Sequence, residues 1–348
     1  MKQLAILVSF LALIAIFAAC AKANDPAAPA GVLSIVAQRQ FAGDPQDFVV
    51  TQDYVYVAED QAGFSIWQRD GLQLISQNWD YDVDIRNAKY ISVVEEYDRV
   101  YVYNTTGTDG IFIIDVSDPA ATVWVGQDVG STQNLGGIRY KVNTHEYPEQ
   151  YFDEVSQIVG MRTIDNQFLY GYIEITDTAD IPNGSPDDLR VTLPNDLRGF
   201  DEDFQYFYLT GEQLGLYIVD KTTHALGQCD TPGEALQVAV NGDIAYIADR
   251  QDGLAVIDIS DRANPVLLDT GYNTSGYAQS LDFEGDWLAV GSGGGGVYLF
   301  DISDPAAPKF VDRIPTSEVG YTRCVDIQGG RVYVASRDNG LVELTINP

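Results

Sequence analysis

GLAVIDISDRANPVLL, residues 253–268, consists of two short apolar runs joined by an Asp-containing turn that a proline closes. Apolar residues alternating at period two mark half-buried strands, so the stretch reads as an antiparallel strand pair. Its opening, Gly-apolar-x-apolar-x-Asp, recurs along the chain as GFSIWQ from Gly63, GIFIID from Gly110, GLYIVD from Gly215, GVYLFD from Gly296 and GLVELT from Gly340. Successive starts lie 47, 105, 38, 43 and 44 residues apart, which implies a unit of about 43 residues and one degraded copy inside the long gap.

Each copy follows another strand pair, as in QVAVNGDIAYIAD (237–249), SLDFEGDWLAVGS (280–292), CVDIQGGRVYVAS (324–336) and FVVTQDYVYVAED (48–60). Alternation about Asn-Gly-Asp or Glu-Gly-Asp is a hairpin signal. One unit therefore holds four short antiparallel strands, the signature of a β-propeller blade. A helical solenoid is excluded, because its apolar residues would recur at period 3.6. Seven blades are expected, or six if residues 131–195 form only an insertion. In that stretch VSQIVGMRTIDNQFLYGYIEI (155–175) reads as the first two strands of a blade, DDLRVTLP (187–194) as an outer strand, and residues 131–154 as an insertion or long connection.

The units LYIVD, LAVID, VYLFD and IFIID resemble the LVIVD repeat of bacterial surface propellers. The resemblance covers most of residues 44–348 and implies a propeller at the cell envelope. It implies no catalytic residues.

The two ends of the chain suggest how such a ring closes. GLVELTINP at the C-terminus is a third strand with no outer strand after it, and Asp25–Pro29 repeat the DPAAP of residues 304–308 that precedes an outer strand. The N-terminal segment is thus expected to supply the missing strand of the last blade and to remove two open edges. Ahead of it, Lys2, the apolar run Leu4–Ala19 and the small residues before Cys20 read as a signal peptide. Phe17-Ala18-Ala19-Cys20 resembles a bacterial lipobox, with an ordinary secretory signal as the alternative. The expected organisation is a signal peptide over 1–19, a lipidated N-terminus and tether over 20–30, and one propeller domain over 31–348, carrying a divergent blade or insertion at about 131–195. Such a chain is an exported, membrane-anchored lipoprotein, held by its lipid alone, with its hairpin face toward the membrane.

Fifty-one acidic against 20 basic residues leave a formal charge of −31, which argues against nucleic acid as a partner. A protein or glycan partner at the envelope and a monomeric state are the expectation. Besides Cys20 only Cys229 and Cys324 remain, expected as free, mostly buried thiols. Two histidines, His145 and His224, are too few for a multi-histidine metal site or a conventional Ser/His/Asp triad. The Asp-x-Ser-Asp turns at 115–118, 258–261 and 301–304 read as turn-holding carboxylates, with no cofactor implied, although calcium is chemically open. GSGGGG (291–296) lacks the ending of a phosphate loop and reads as a blade loop stripped of side chains.

Two functional classes follow. One is a non-enzymatic binding or scaffolding propeller; the alternative is an exported enzyme acting on polysaccharide through acidic residues such as Asp201, Glu202 and Asp203. The candidate binding residues are Tyr90, Tyr277, Tyr321, Arg323, Arg337 and Arg250, where strands hand over from blade to blade or loops follow the second strand. The tyrosines either pack between blades or stack against a ligand.

Overall fold

A computed structural model describes residues 31–347, apart from 82–83, 106–109, 129–134, 147–151, 165–166, 176–188, 193–196 and 204. The signal peptide, Cys20 and its tether lie outside the described residues. Among the described residues the strands form seven four-stranded antiparallel sheets. Six are regular blades, whose strands are here lettered a to d in blade order. The first runs through Asp47–Val50, Tyr54–Ala58, Phe64–Gln68 and Gln73–Asn78, and the second through Ala88–Val94, Arg99–Asn104, Gly110–Asp115 and Val123–Asp128. The fourth comprises Phe200–Glu202, Tyr206–Thr210, Leu216–Asp220 and Leu226–Cys229, and the fifth Gln237–Asn241, Ile244–Ala248, Leu254–Asp258 and Val266–Tyr272. Ser280–Glu284, Trp287–Gly291, Val297–Asp301 and Lys309–Ile314 build the sixth.

The last blade takes strands a to c from Thr322–Gln328, Arg331–Ser336 and Gly340–Ile346, and its outer strand is Leu33–Arg39. The N-terminal strand thus completes the final sheet as expected. Leu33 lies opposite Ile346, and its N–H donates to Asp312 Oδ2 of the sixth blade at 2.7 Å.

The divergent stretch holds the third sheet, of strands Leu135–Glu146, Phe152–Ile164, Gln167–Ile175 and Leu189–Thr192. Two expectations change here. Residues 155–175 supply the second and third strands, not the first two, and the first strand comes from within the supposed insertion. Leu189–Thr192 is the outer strand, as read. The LGGIRY start of the first strand hides its alternation behind two glycines, which have no side chain to mark a face.

Strand a of each blade lies against strand a of a neighbour: first on second, second on the third sheet, fourth on fifth, fifth on sixth, sixth on seventh, and seventh back on first. The apolar core is accordingly divided into slabs between adjacent blades. One slab joins Ala289 and Leu299 of the sixth blade to Val325, Val334 and Leu344 of the seventh; another joins Ile66 to Ile91 and Val102 across the first and second. The 43-residue period also has a direct physical counterpart, because a side chain of one strand a accepts a backbone N–H from the next. Asp47 accepts from Ile91, Asp201 from Val240, Gln237 from Leu281 and Asp282 from Ile327, at 2.9 to 3.2 Å. The inner edges are thereby covered.

A tyrosine at the centre of strand b, Tyr56, Tyr101, Tyr208, Tyr246 or Tyr333, is buried in five blades, opposite Ile66, Ile113, Ile218, Val256 and Glu343. The hydroxyls of three reach the c–d turn of the next blade. Tyr246 donates to the Pro305 carbonyl at 2.9 Å, while Tyr333 accepts from Arg69 Nε at 2.9 Å and Tyr208 from Arg262 Nε at 3.3 Å. A buried phenol needs such a partner. Burial pushes the Tyr246 phenol up to about 12. Much of the tyrosine content is therefore blade packing, by residues other than Tyr90, Tyr277 and Tyr321.

The Asp-rich turns hold themselves together as read. Asp115 Oδ1 accepts from Ser117 N–H at 2.9 Å, Asp258 Oδ1 from Ser260 at 2.8 Å, and Asp301 Oδ1 from Ser303 at 2.8 Å. Backbone N–H groups, chiefly that of Thr223, hold Asp220 below the usual carboxylate range, and that of Ser303 does the same for Asp301. Stability from these groups is present above the unfolded value of about 4 and is lost as pH falls through the lower folded value. Glu59 and Asp249 act in the opposite sense: burial raises both, so their cost is relieved as pH falls. The melting temperature is therefore expected to peak on the acid side of neutrality and to drop below about pH 4. Thermal melts across that range test this, and a flat profile between neutrality and pH 3 would contradict it.

Candidate functional site

Strand polarity assigns the two faces. The a–b hairpins and c–d turns lie on one, the b–c turns and d–a connections on the other. Asn347 N–H donates to Val32 O at 2.7 Å and Ile346 N–H to Gly330 O at 3.2 Å, so the N-terminal strand enters from the hairpin face.

On the opposite face the b–c turn is built alike in four blades. Asp60, Glu212, Arg250 and Gly293 all take the left-handed conformation, with φ of 47°, 47°, 43° and 45°. Their carbonyls accept a backbone N–H from the connection into the next blade, at Ala88, Ala235, Ala278 and Thr322. In three of these blades a buried polar side chain just before the turn ties down the connection entering its own blade. Glu59 accepts from Ala42 and Gly43 N–H, both at 2.9 Å, and from the Ser65 hydroxyl. Asp249 accepts from Gly233 N–H at 2.8 Å and Thr231 Oγ1 at 2.7 Å, and Ser292 Oγ bonds to Thr274 Oγ1 at 2.8 Å. Loops fixed this way make a rigid platform.

Four of the six candidate residues meet on this platform, above the fifth to seventh blades. The Arg250 guanidinium lies 5.2 Å from the centroid of Tyr277, and that of Arg337 lies 4.7 Å from Tyr321. Gln279 Nε2 donates to Tyr321 Oη at 2.5 Å. Arg250 is paired with Glu234, and Arg337 Nε lies 3.5 Å from Asp338 Oδ1. Asp338 Oδ2 also accepts the Tyr321 N–H at 2.9 Å. The hydrogen bond to the Glu234 carboxylate holds Arg250 above its ordinary pKa. Tyr277 is 48% exposed, unusual for so large a ring.

The other two candidates lie apart. Tyr90 is half-buried in strand a of the second blade and stacks on Tyr103 at 6.0 Å. Arg323 pairs with Asp44 at 2.9 Å across the seventh and first blades. Sequence reasoning missed Gln279, Glu234 and Asp338; the one available signal was their nearness to Tyr277 and Arg337 in a repeat of known phase.

The acidic trio is otherwise engaged. Asp201 accepts from Val240 N–H, Glu202 pairs with Lys221 at 2.7 Å, and Asp203 accepts from Gln205 and Tyr206 N–H and from the Tyr208 hydroxyl. Among the described residues no group of three or more His, Cys, Asp and Glu side chains is placed to hold a metal ion. His224 is an exposed turn residue with φ of 59°. Among the described residues neither Cys229 nor Cys324 is in a disulfide; Cys229 is buried, whereas Cys324 is only half-buried, a correction to the expectation.

The LVIVD repeat profile matches residues 42–66, 85–127, 232–274, 275–316 and 319–344, together just over half of the chain. The chain belongs to the LVIVD-repeat family. This LVIVD protein is similar in fold to the WD40 repeats of RRP9, with a TM-score of 0.67 at 11% identity, covering 92% of this chain and 98% of that one. U3-55K gives the same score and identity, covering 92% and 100%. The β-propeller domain of Cps50 (Swd1) from Myceliophteria thermophila scores 0.61 at 10% identity, covering 91% and 100%. At such identities the likeness shows a β-propeller fold and nothing more. No curated protein sequence matches the LVIVD protein.

Proposed function

We propose that this LVIVD-repeat propeller is a non-enzymatic binding scaffold of the bacterial cell envelope, anchored through a lipid on Cys20, with its partner site on the b–c face. The observation that carries the reading is the pair of arginine-capped tyrosines, Arg250 on Tyr277 and Arg337 on Tyr321, the second held also by Gln279, on turns fixed by buried hydrogen bonds. Aromatic and arginine side chains of this kind concentrate binding energy. The platform lies opposite the face from which the N-terminus leaves, so an anchored ring presents it outward.

A non-enzymatic role is favoured by what the buried carboxylates do. Glu59 and Asp249 have raised pKa values, a trait of catalytic acids, yet each is bonded to its own incoming connection, and they belong to different blades.

Capture from envelope extract with the mature chain tests the partner site. Replacing Tyr277, Tyr321, Arg250 or Arg337 by alanine is expected to abolish capture, and replacing Asn241 or Asp286 on the hairpin face to leave it intact. The reverse pattern would invert the orientation. Cys20→Ala is expected to move the protein from the membrane to the soluble fraction, and a mature N-terminus other than a lipidated Cys20 would remove the anchor from the reading.

A further inference from the structure

We infer that the partner is a neutral saccharide chain, lying over the exposed Gly294 of the sixth blade's b–c turn, beside Tyr277 and Tyr321. The inference rests on the binding-face reading above and narrows it to one ligand chemistry.

The charges decide against an ionic ligand. Each guanidinium at the two rings already has a carboxylate, Glu234 for Arg250 and Asp338 for Arg337, so the cluster is balanced. A polyanion would have to break these pairs while approaching a chain of net charge −31. A cationic ligand would meet two guanidiniums at the site itself. A sugar hydroxyl both donates and accepts, and here the Arg250, Arg337 and Gln279 N–H groups stand beside the acceptor oxygens of Glu234, Asp338 and Tyr321. The carbon-bound hydrogens of a pyranose face suit an aromatic ring, and Tyr277 is half exposed.

The floor of the site is shaped for close approach. Gly293 sits at φ 45°, but Asp60, Glu212 and Arg250 adopt the same turn, so the backbone does not call for glycine there. An added Cβ would meet Gln279 Nε2 and the Tyr321 ring, each at 3.1 Å: the tyrosine lies down on the turn. At the next position three blades carry exposed Gln61, Gln213 and Gln251, whereas the sixth carries exposed Gly294. An added Cβ on Gly294 would have nothing within 4 Å, and its φ lies outside the left-handed region. Neither packing nor conformation asks for glycine there, so its effect is to leave exposed backbone, its carbonyl accepting from the Thr316 hydroxyl, where other blades raise a side chain. A neutral peptide is less well served, since peptide docking draws on a free sheet edge or an apolar groove, and this floor is a polar turn.

The test is native affinity electrophoresis of the mature chain in gels containing a neutral polysaccharide (dextran, mannan, laminarin, galactomannan or xyloglucan) or an acidic one (alginate or polygalacturonate). Retardation by at least one neutral polysaccharide is expected, and it should persist in about 0.5 M salt, where exposed charge interactions are screened. Calorimetry with the matching oligosaccharide should show affinity weakened about tenfold or more by Tyr277→Ala and by Gly294→Gln, a loss of about 1.4 kcal/mol. Gly294→Gln introduces the side chain that three other blades carry, so its melting temperature should equal the wild type's, and Asp286→Ala serves as the hairpin-face control.

No retardation by any neutral polysaccharide, retardation only by the acidic ones, or unchanged affinity in Gly294→Gln overturns the inference. If polysaccharides fail but Tyr277→Ala still abolishes capture of a protein from envelope extract, the saccharide inference falls and the binding-face reading stands. If a neutral polysaccharide binds and only Asp286→Ala weakens it, both fall.

Discussion

Removing the N-terminal strand, by truncation before Gln40, is expected to lower the melting temperature of the whole ring by about 10 °C or more, or to abolish cooperative unfolding. Leu33 is 3% exposed, and the strand pairs from Leu33↔Ile346 to Arg39↔Leu341. Burial of Leu33 is worth about 2 kcal/mol, and the lost ladder and Asp312 contacts add several hydrogen bonds at about 1 kcal/mol each. The sum, about 5 kcal/mol or more, is a large part of what holds a typical domain together. Truncation also bares the Gly340–Ile346 edge, with Val342 and Leu344 beside it, as a site for aggregation. Scanning calorimetry measures the effect, and adding a peptide of residues 31–41 in trans should restore part of it. An unchanged transition in the truncated chain would show that the ring does not depend on this closure.

The second large effect is expected at the buried anchors of the b–c turns. Asp249→Ala leaves Gly233 N–H and Thr231 Oγ1 without their acceptor in a fully buried site, at a cost of about 2–4 kcal/mol. Asp249→Asn keeps an acceptor oxygen and removes a carboxylate whose charge burial already disfavours, so it should remain close to the wild type at neutral pH. Urea unfolding distinguishes the two, and equal stability of Asp249→Ala and wild type would refute the anchoring role. Glu59, with two backbone N–H groups and the Ser65 hydroxyl on its carboxylate, should behave in the same way in the first blade.

The bulges show where sequence reasoning lost the pattern. In five blades the outer strand carries an extra residue against strand c: Val36, Ile75, Val125, Leu268 and Val311 stand unpaired in the register, and the fifth blade has a second shift between Leu254 and Val256. These five residues are apolar, so the outer strands read as unbroken apolar runs such as VLL and FV, and their alternation blurs. A bulge at the rim twists the free edge and hinders pairing with another chain, which a ring of outer strands would otherwise invite.

Repetition explains why the rest was legible. A spacing of about 43 residues, a Gly before each strand c and a hairpin before each Gly are local signals, and local backbone preference together with period-two burial is enough to set four strands per blade. Closure by the first strand was legible too, because the last unit lacks a strand and the first residues repeat the lead-in to one. The pairings that define the platform were not. Arg250 meets Tyr277, and Gln279 meets Tyr321, across 27 and 42 residues and across blade boundaries. Such contacts depend on how neighbouring sheets are rotated and packed, which no local periodicity encodes. The same holds for Tyr90 and Arg323, whose positions in the repeat resemble those of the others but whose neighbours, Tyr103 and Asp44, belong to different junctions. Chain-local chemistry was enough to determine the blade and its count of strands, whereas which side chains share one surface is settled only when the blades pack, because that surface is assembled from segments one repeat apart.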